Sequence, residues 1–243
     1  MNIDDILNIS DDFIKNEFES FCNSYNELYQ KKQSLVSREN RLINLRFRLT
    51  LDLTVSIETK FSETKTEQVN QTYILLYKFF DLWNVYEVCC ASGEKLCVCE
   101  KKNWNTDFML KTKTDICLSN CVKEMKQCLS ESVFCKYFCS YLDHFANLDS
   151  ISANNQQRCI ELKNKIKNNN CNNIANEDML PLMYMERNAF YHGGEAARAG
   201  SNYNFRIKIL SVYIQTLRVL ISRLGAGLFK RELKNDNDST SVE

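Results

Sequence analysis

One proline, Pro181, and six glycines supply almost all the turn-forming chemistry of this 243-residue chain. Those two residue types break helices and shape tight reversals. A chain so poor in both suits long helices better than a sheet with many turns. Its length can bury a substantial core as one domain, or as one domain with an extension. The predicted class is therefore mainly α. A helical bundle is expected over residues 71–231, an N-terminal helical extension over 1–70, and a polar, disordered tail over 232–243.

Hydrophobic spacing fills in the elements. Ile14, Phe18, Phe21, Tyr25 and Leu28 recur at three- and four-residue steps, which predicts one long amphipathic helix, and Leu35, Leu42 and Leu49 extend its stripe. Between Phe47 and Ile57, Leu49, Leu51, Leu53, Val55 and Ile57 alternate with polar residues, a strand period. Helix is the default there, with a short strand or strands around 47–58 as the alternative. Tyr73–Cys90 is apolar nearly all round and reads as a central helix. A cysteine-lined helix is predicted over 115–146, with His144 near its end, and a shorter one over 155–167 between Asn-rich linkers. The final helix is predicted over 203–224, with Leu210, Tyr213, Leu217, Leu220, Ile221 and Leu224 as its core stripe. Val212 and Val219 flank the basic sector of that helix and suggest a second contact surface.

The formal net charge is zero, so global electrostatics make no case for nucleic acid. Locally, Arg198, Arg206, Lys208, Arg218, Arg223, Lys230 and Arg231 form a basic run that reads equally as a solvated helix face or an RNA track. No stretch resembles a signal peptide or an uninterrupted membrane span, and the expected location is cytoplasmic, with no membrane partner. In that compartment the twelve cysteines are not expected to form disulfides. Cys117, Cys121, Cys128, Cys135 and Cys139 share one helical face, as thiols used for small buried hydrophobes do. Cys89, Cys90, Cys97 and Cys99 are the better metal candidates, but no paired Cys-x-x-Cys spacing supports a site; no metal and no cofactor are assigned.

The chemically informative segment is Met185-Glu186-Arg187-Asn188-Ala189-Phe190-Tyr191-His192-Gly193-Gly194. Asp178 is the expected N-cap of its helix, Pro181 then falls in the first turn, and Gly193-Gly194 ends it. With Arg187 at zero and about 100° per residue, Tyr191, Tyr184, Asn188 and His192 fall at about 40°, 60°, 100° and 140°. Leu182, Met183, Ala189 and Phe190 lie opposite; Met185 and Glu186 fit less cleanly. Arginine forks onto phosphate oxygens and keeps its charge, while histidine exchanges a proton near neutrality. Tyrosine rings stack on unpaired bases. Arg187, Asn188 and His192 are thus candidate catalytic residues, and Tyr184 and Tyr191 candidate substrate-binding residues.

Arg187-Asn188-x-x-x-His192-Gly193 near the end of a helical domain resembles the HEPN family (higher eukaryotes and prokaryotes nucleotide-binding). The specific match covers about eight residues, the rest agreeing in helical character alone. The resemblance implies a helical bundle that dimerises around this helix. It also implies a metal-independent endoribonuclease, in a toxin–antitoxin or anti-phage defence setting, with an antitoxin or regulatory protein as a further partner. Family toxins silenced by adenylylation carry a tyrosine two residues after the histidine, where this chain has Gly194.

The residues themselves support the same chemistry. RNA cleavage needs a base for the 2′-OH proton, a cation for the pentacoordinate phosphate and an acid for the leaving 5′-oxygen. His192 can be the base and Arg187 the clamp, with Asn188 orienting the phosphate or the imidazole. One histidine cannot readily be base and acid at once, so a two-fold mate is expected to supply the second. The alternatives are a non-catalytic helical module that binds nucleotide, RNA or a protein partner, and a cysteine-rich metal-binding protein.

Overall fold

A computed structural model describes residues 12–33, 36–52, 66–96, 116–149, 151–167, 173–193 and 202–235. The helices in chain order are α1 (Asp12–Lys32), α2 (Arg38–Asp52), α3 (Thr66–Leu96), α4 (Ile116–Ser130), α5 (Ser132–Ala146), α6 (Ala153–Lys167), α7 (Asn176–Gly193) and α8 (Tyr203–Asn235). The fold is all-helical, with no strand among the described residues. Residues 47–52, read as either strand or helix, are the last turns of α2, and 53–58 lie outside the described residues. The chain sorts into two compact units, and α3 and α8 each contribute to both.

The first unit holds α3 up to Phe80, all of α4 to α7, and α8 up to Thr216. Within it α5 packs on α6, α4 on α5 and α7, and α6 on α7. Its core includes Phe138, Tyr141 and Phe145 of α5, Leu182 and Met183 of α7, and Phe205, Leu210 and Tyr213 of α8, all buried. The helix predicted over 115–146 is two helices. Glu131 interrupts it in an extended conformation (φ −70°, ψ 118°). Serines on either side favour helix ends over interiors, and the Ser130 hydroxyl donates to the Gln127 carbonyl at 2.7 Å. His144 occupies the last turn of α5, as expected.

The second unit holds α1, α2, α3 from Asp81 and α8 from Leu217. The long helix expected through Leu49 is instead α1 and α2, with a break where Ser37 caps α2 by accepting the Asn40 N–H at 3.1 Å. The predicted leucine stripe does not face the core. Ile43 and Phe47 of α2 are buried, while Leu42, Leu45 and Leu49 are 39 %, 56 % and 57 % exposed. Leu35 lies outside the described residues. Phe21 is fully buried and meets Phe47 edge-on (centroids 5.0 Å apart) and Phe229 at 5.2 Å. Arg223 of α8 forks onto Glu17 of α1 through 3.0 and 2.8 Å bonds.

Gly225 lets this cluster close. A Cβ placed there would sit 2.7 Å from Phe21 Cδ2, and the Phe21 ring is locked among other rings. Gly227, one half-turn on, is exposed and has nothing within 4 Å of the same position. Alanine at either site gains helix propensity, about 1 kcal/mol relative to glycine. At Gly225 overpacking of about 1–3 kcal/mol opposes it. Urea denaturation is therefore expected to show Gly227→Ala stabilised and Gly225→Ala destabilised, and equal shifts in the two would contradict this packing.

Helix α8 runs past residue 224 to Asn235, into the stretch read as tail, because Ala226, Leu228 and Phe229 continue the buried face. It is the one described helix long and apolar enough to cross a membrane by composition, yet 83 % of the relevant window is buried inside the protein. It is thus a core helix. Val212 and Val219 are buried as well, so neither marks an exposed contact surface.

Candidate functional site

Helix α7 begins at Asn176, earlier than the cap predicted at Asp178. Asp178 instead reaches back from the first turn and accepts the Ala175 N–H at 2.9 Å, the carboxylate half of a capping box. Pro181 consequently sits beyond the first turn, inside the helix, where it withholds one backbone donor.

The helix is held by unusual chemistry. Glu186 is buried, and Arg206 of α8 forks onto it, with Nη1 donating at 2.7 Å and Nη2 donating to the other carboxylate oxygen. The Tyr141 hydroxyl of α5 donates to the same carboxylate, and the Arg206 guanidinium carbon lies 5.2 Å from the Tyr141 ring centre. Burial alone pulls Arg206 toward losing its proton, but the Glu186 carboxylate and its hydrogen bonds hold the guanidinium above its usual value. Burial, and then the Glu186 charge, push the Tyr141 and Tyr213 phenols up, so both stay neutral. Sequence reading placed Arg206 in the basic run and missed this cluster. The available signal was Glu186 itself, a carboxylate at the edge of an apolar face, which can be buried only with a cationic partner.

On its other flank Phe190 stacks on Phe80 of α3, with centroids 4.0 Å apart and planes 27° apart. Leu182, Met183, Met185 and Ala189 are buried, while Tyr184 is 39 % exposed and Arg187 half-buried. Tyr184 and Arg187 thus lie toward the open side of α7, whereas Asn188, placed on the same polar face by the sequence, is buried. Arg187 Nη1 donates to Asn188 Oδ1 at 3.0 Å, and Asn188 is buried. The amide thus holds the guanidinium from below. Tyr191 and His192 belong to the last turn of α7 by their backbone, one turn on from Arg187 and Asn188 respectively; their side chains lie outside the described residues.

The basic run does not form one exposed track. Arg206 is 2 % exposed and committed to Glu186, and Arg223 is committed to Glu17. Lys208 lies 4.3 Å from the Phe134 ring centre and 3.3 Å from Glu131. Arg198 lies outside the described residues. A half-open groove of about 380 Å³ is lined by Glu67, Gln68, Gln71, Phe134, Asn204, Ile207 and Lys208, and includes none of Tyr184, Arg187 and Asn188.

Among the cysteines, Cys121 is buried and Cys128, Cys135 and Cys139 are half-buried; the Cys117 side chain, Cys97 and Cys99 lie outside the described residues. Burial pushes the Cys159 thiol up to about 12 and raises Cys89 and Cys128 above the ordinary thiol range, which disfavours thiolates. Among the described residues no three His, Cys, Asp or Glu side chains gather as a metal site.

No protein-family model, no curated protein and no solved structure matches the chain.

Proposed function

We propose that this chain is a metal-independent, cytoplasmic endoribonuclease of HEPN type that works as a homodimer, in a toxin or anti-phage defence setting. The observation that carries the reading is the Arg187–Asn188 pair. A half-buried guanidinium is held by a buried amide, on a helix locked through Glu186 that also carries the exposed Tyr184. A cation fixed in place before substrate arrives stabilises a pentacoordinate phosphate without reorganising at the moment of reaction. In this reading Asn188 is a positioning residue that aims Arg187, a narrower role than contact with phosphate or imidazole.

His192 takes the proton from the ribose 2′-OH, and O2′ attacks phosphorus. The P–O5′ bond breaks, and an acid from the second copy protonates the departing 5′-oxygen. The products are a 2′,3′-cyclic phosphate and a free 5′-hydroxyl. Tyr184 and Tyr191 would stack a base next to the scissile phosphate.

The proposal is tested by RNA cleavage in EDTA with wild type and Arg187→Ala side by side. Cleavage in wild type that falls by at least about a hundredfold in the variant is expected. RNA or nucleotide binding without cleavage would instead select the non-catalytic binding module, and stoichiometric metal in the purified protein would select the cysteine-based one.

A further inference from the structure

Helix α2 carries an apolar stripe that points away from the core it helps to build. Taking Leu42 as zero and about 100° per residue, Leu49 lies near −20° and Leu45 near −60°, while buried Ile43, Phe47, Thr50 and Asn40 span about 80–160°. The exposed leucines are spaced by three and then four residues, the a–d–a sequence of a coiled-coil seam. In that register Arg41 and Arg48 are g positions and Arg46 is an e position. Arg41 and Arg46 are exposed, and Arg41 and Arg48 are steadied by bonds to the Gln33 carbonyl (2.9 Å) and Asn44 Oδ1 (3.0 Å).

These charges decide between occupants. A second copy docked in parallel would set Arg41 against Arg46, and an antiparallel one would set Arg41 and Arg48 against each other. The parallel pairing repels; the antiparallel one also brings Glu39, the preceding e position, against Arg46, so its attractions offset its repulsions. Carboxylates at the partner's e and g positions face three arginines and one glutamate and attract on balance. The stripe spans only about 60°, the width of a coiled-coil seam; an interfacial membrane helix presents an apolar face of at least about 100°. We propose that α2 is a docking helix for an acidic amphipathic partner helix, with large aliphatic residues at its a and d positions and Glu or Asp at e and g. This proposal is independent of the reading of Arg187.

The test uses the full chain and two labelled peptides of about four heptads each. Both have Leu at a and d, one with Glu and the other with Lys at e and g; like-charge repulsion keeps each from pairing with itself. Fluorescence anisotropy is expected to show the Glu peptide bound and the Lys peptide at least about tenfold weaker. Leu45→Glu should weaken the Glu peptide by at least about tenfold. Leu45 is exposed, so this change spares the core, and circular dichroism checks the fold. Arg41→Glu/Arg46→Glu should exchange the preference and bind the Lys peptide, a gain that unfolding cannot mimic. Failure of the folded wild type to bind the Glu peptide overturns the proposal. So does self-association that Leu45→Glu abolishes, or Leu45-dependent binding to phosphatidylserine vesicles in place of the peptide.

Discussion

Replacing His192 with alanine is expected to lower RNA cleavage by about a hundred- to ten-thousandfold, the range for loss of a general base, with helical content and melting temperature unchanged. The fold is spared because α7 is held elsewhere, by Leu182, Met183 and Met185 in the core and by the Glu186–Arg206 fork. Arg187→Ala should lose activity to a similar degree by a different route, because it removes charge stabilisation and leaves the base in place. Mixing wild type with excess His192→Ala protein separates a composite site from a self-contained one. If each site takes its base from one copy and its acid from the other, a mixed dimer has a single histidine and no complete site, and excess variant quenches the wild-type activity. Self-contained sites keep that activity. The comparison is read as initial rate after subunit exchange, against wild type alone.

The largest stability effect is expected at the buried fork. Arg206→Met or Glu186→Leu alone leaves a charge stranded in the core, and each should destabilise the protein by about 3–5 kcal/mol. The double variant should lose far less than the sum. Its two apolar side chains restore packing and abolish the desolvation of two charges, and the fork is not fully satisfied as it stands, since Arg206 Nε finds no hydrogen-bond partner among the described residues. Chemical denaturation of the four proteins closes a double-mutant cycle. A coupling near zero would mean that the two side chains are not held together in the folded state. The fork also has a consequence for the site, because Glu186 immediately precedes Arg187 and ties the rotation of α7 to α5 and α8.

Helical class was legible because it follows from what the chain lacks. With one proline and six glycines, apolar periodicity had few alternatives to helix, and α6, α7 and the start of α8 lie close to their predicted spans, while α3 runs from Thr66 to Leu96, past both ends of the apolar stretch Tyr73–Cys90. Breaks were harder to see. Neither Ser37 nor Glu131 is a strong helix breaker, so the ends of α1 and α4 depend on capping and packing that periodicity does not carry. Leu42 and Leu49 misled for a related reason: spacing identifies a stripe but not which of two stripes faces the core, and Ile43 and Phe47 took the interior. The basic run misled because charge counted along a sequence ignores pairing across helices, as Arg206 with Glu186 and Arg223 with Glu17 show.

For the candidate site, periodicity alone placed Tyr184 and Arg187 on an open sector of α7. It could not foresee that the Asn188 amide turns onto Arg187, because neighbouring positions on a helix do not ordinarily face one another.

The most direct test of the central claim is the chemistry of the RNA ends. Purified protein incubated with mixed RNA in EDTA is expected to leave 2′,3′-cyclic phosphate and 5′-hydroxyl termini, and the His192→Ala protein to leave at least about a hundredfold fewer. Intact RNA in the wild-type reaction, or equal cleavage by the folded variant, would contradict it.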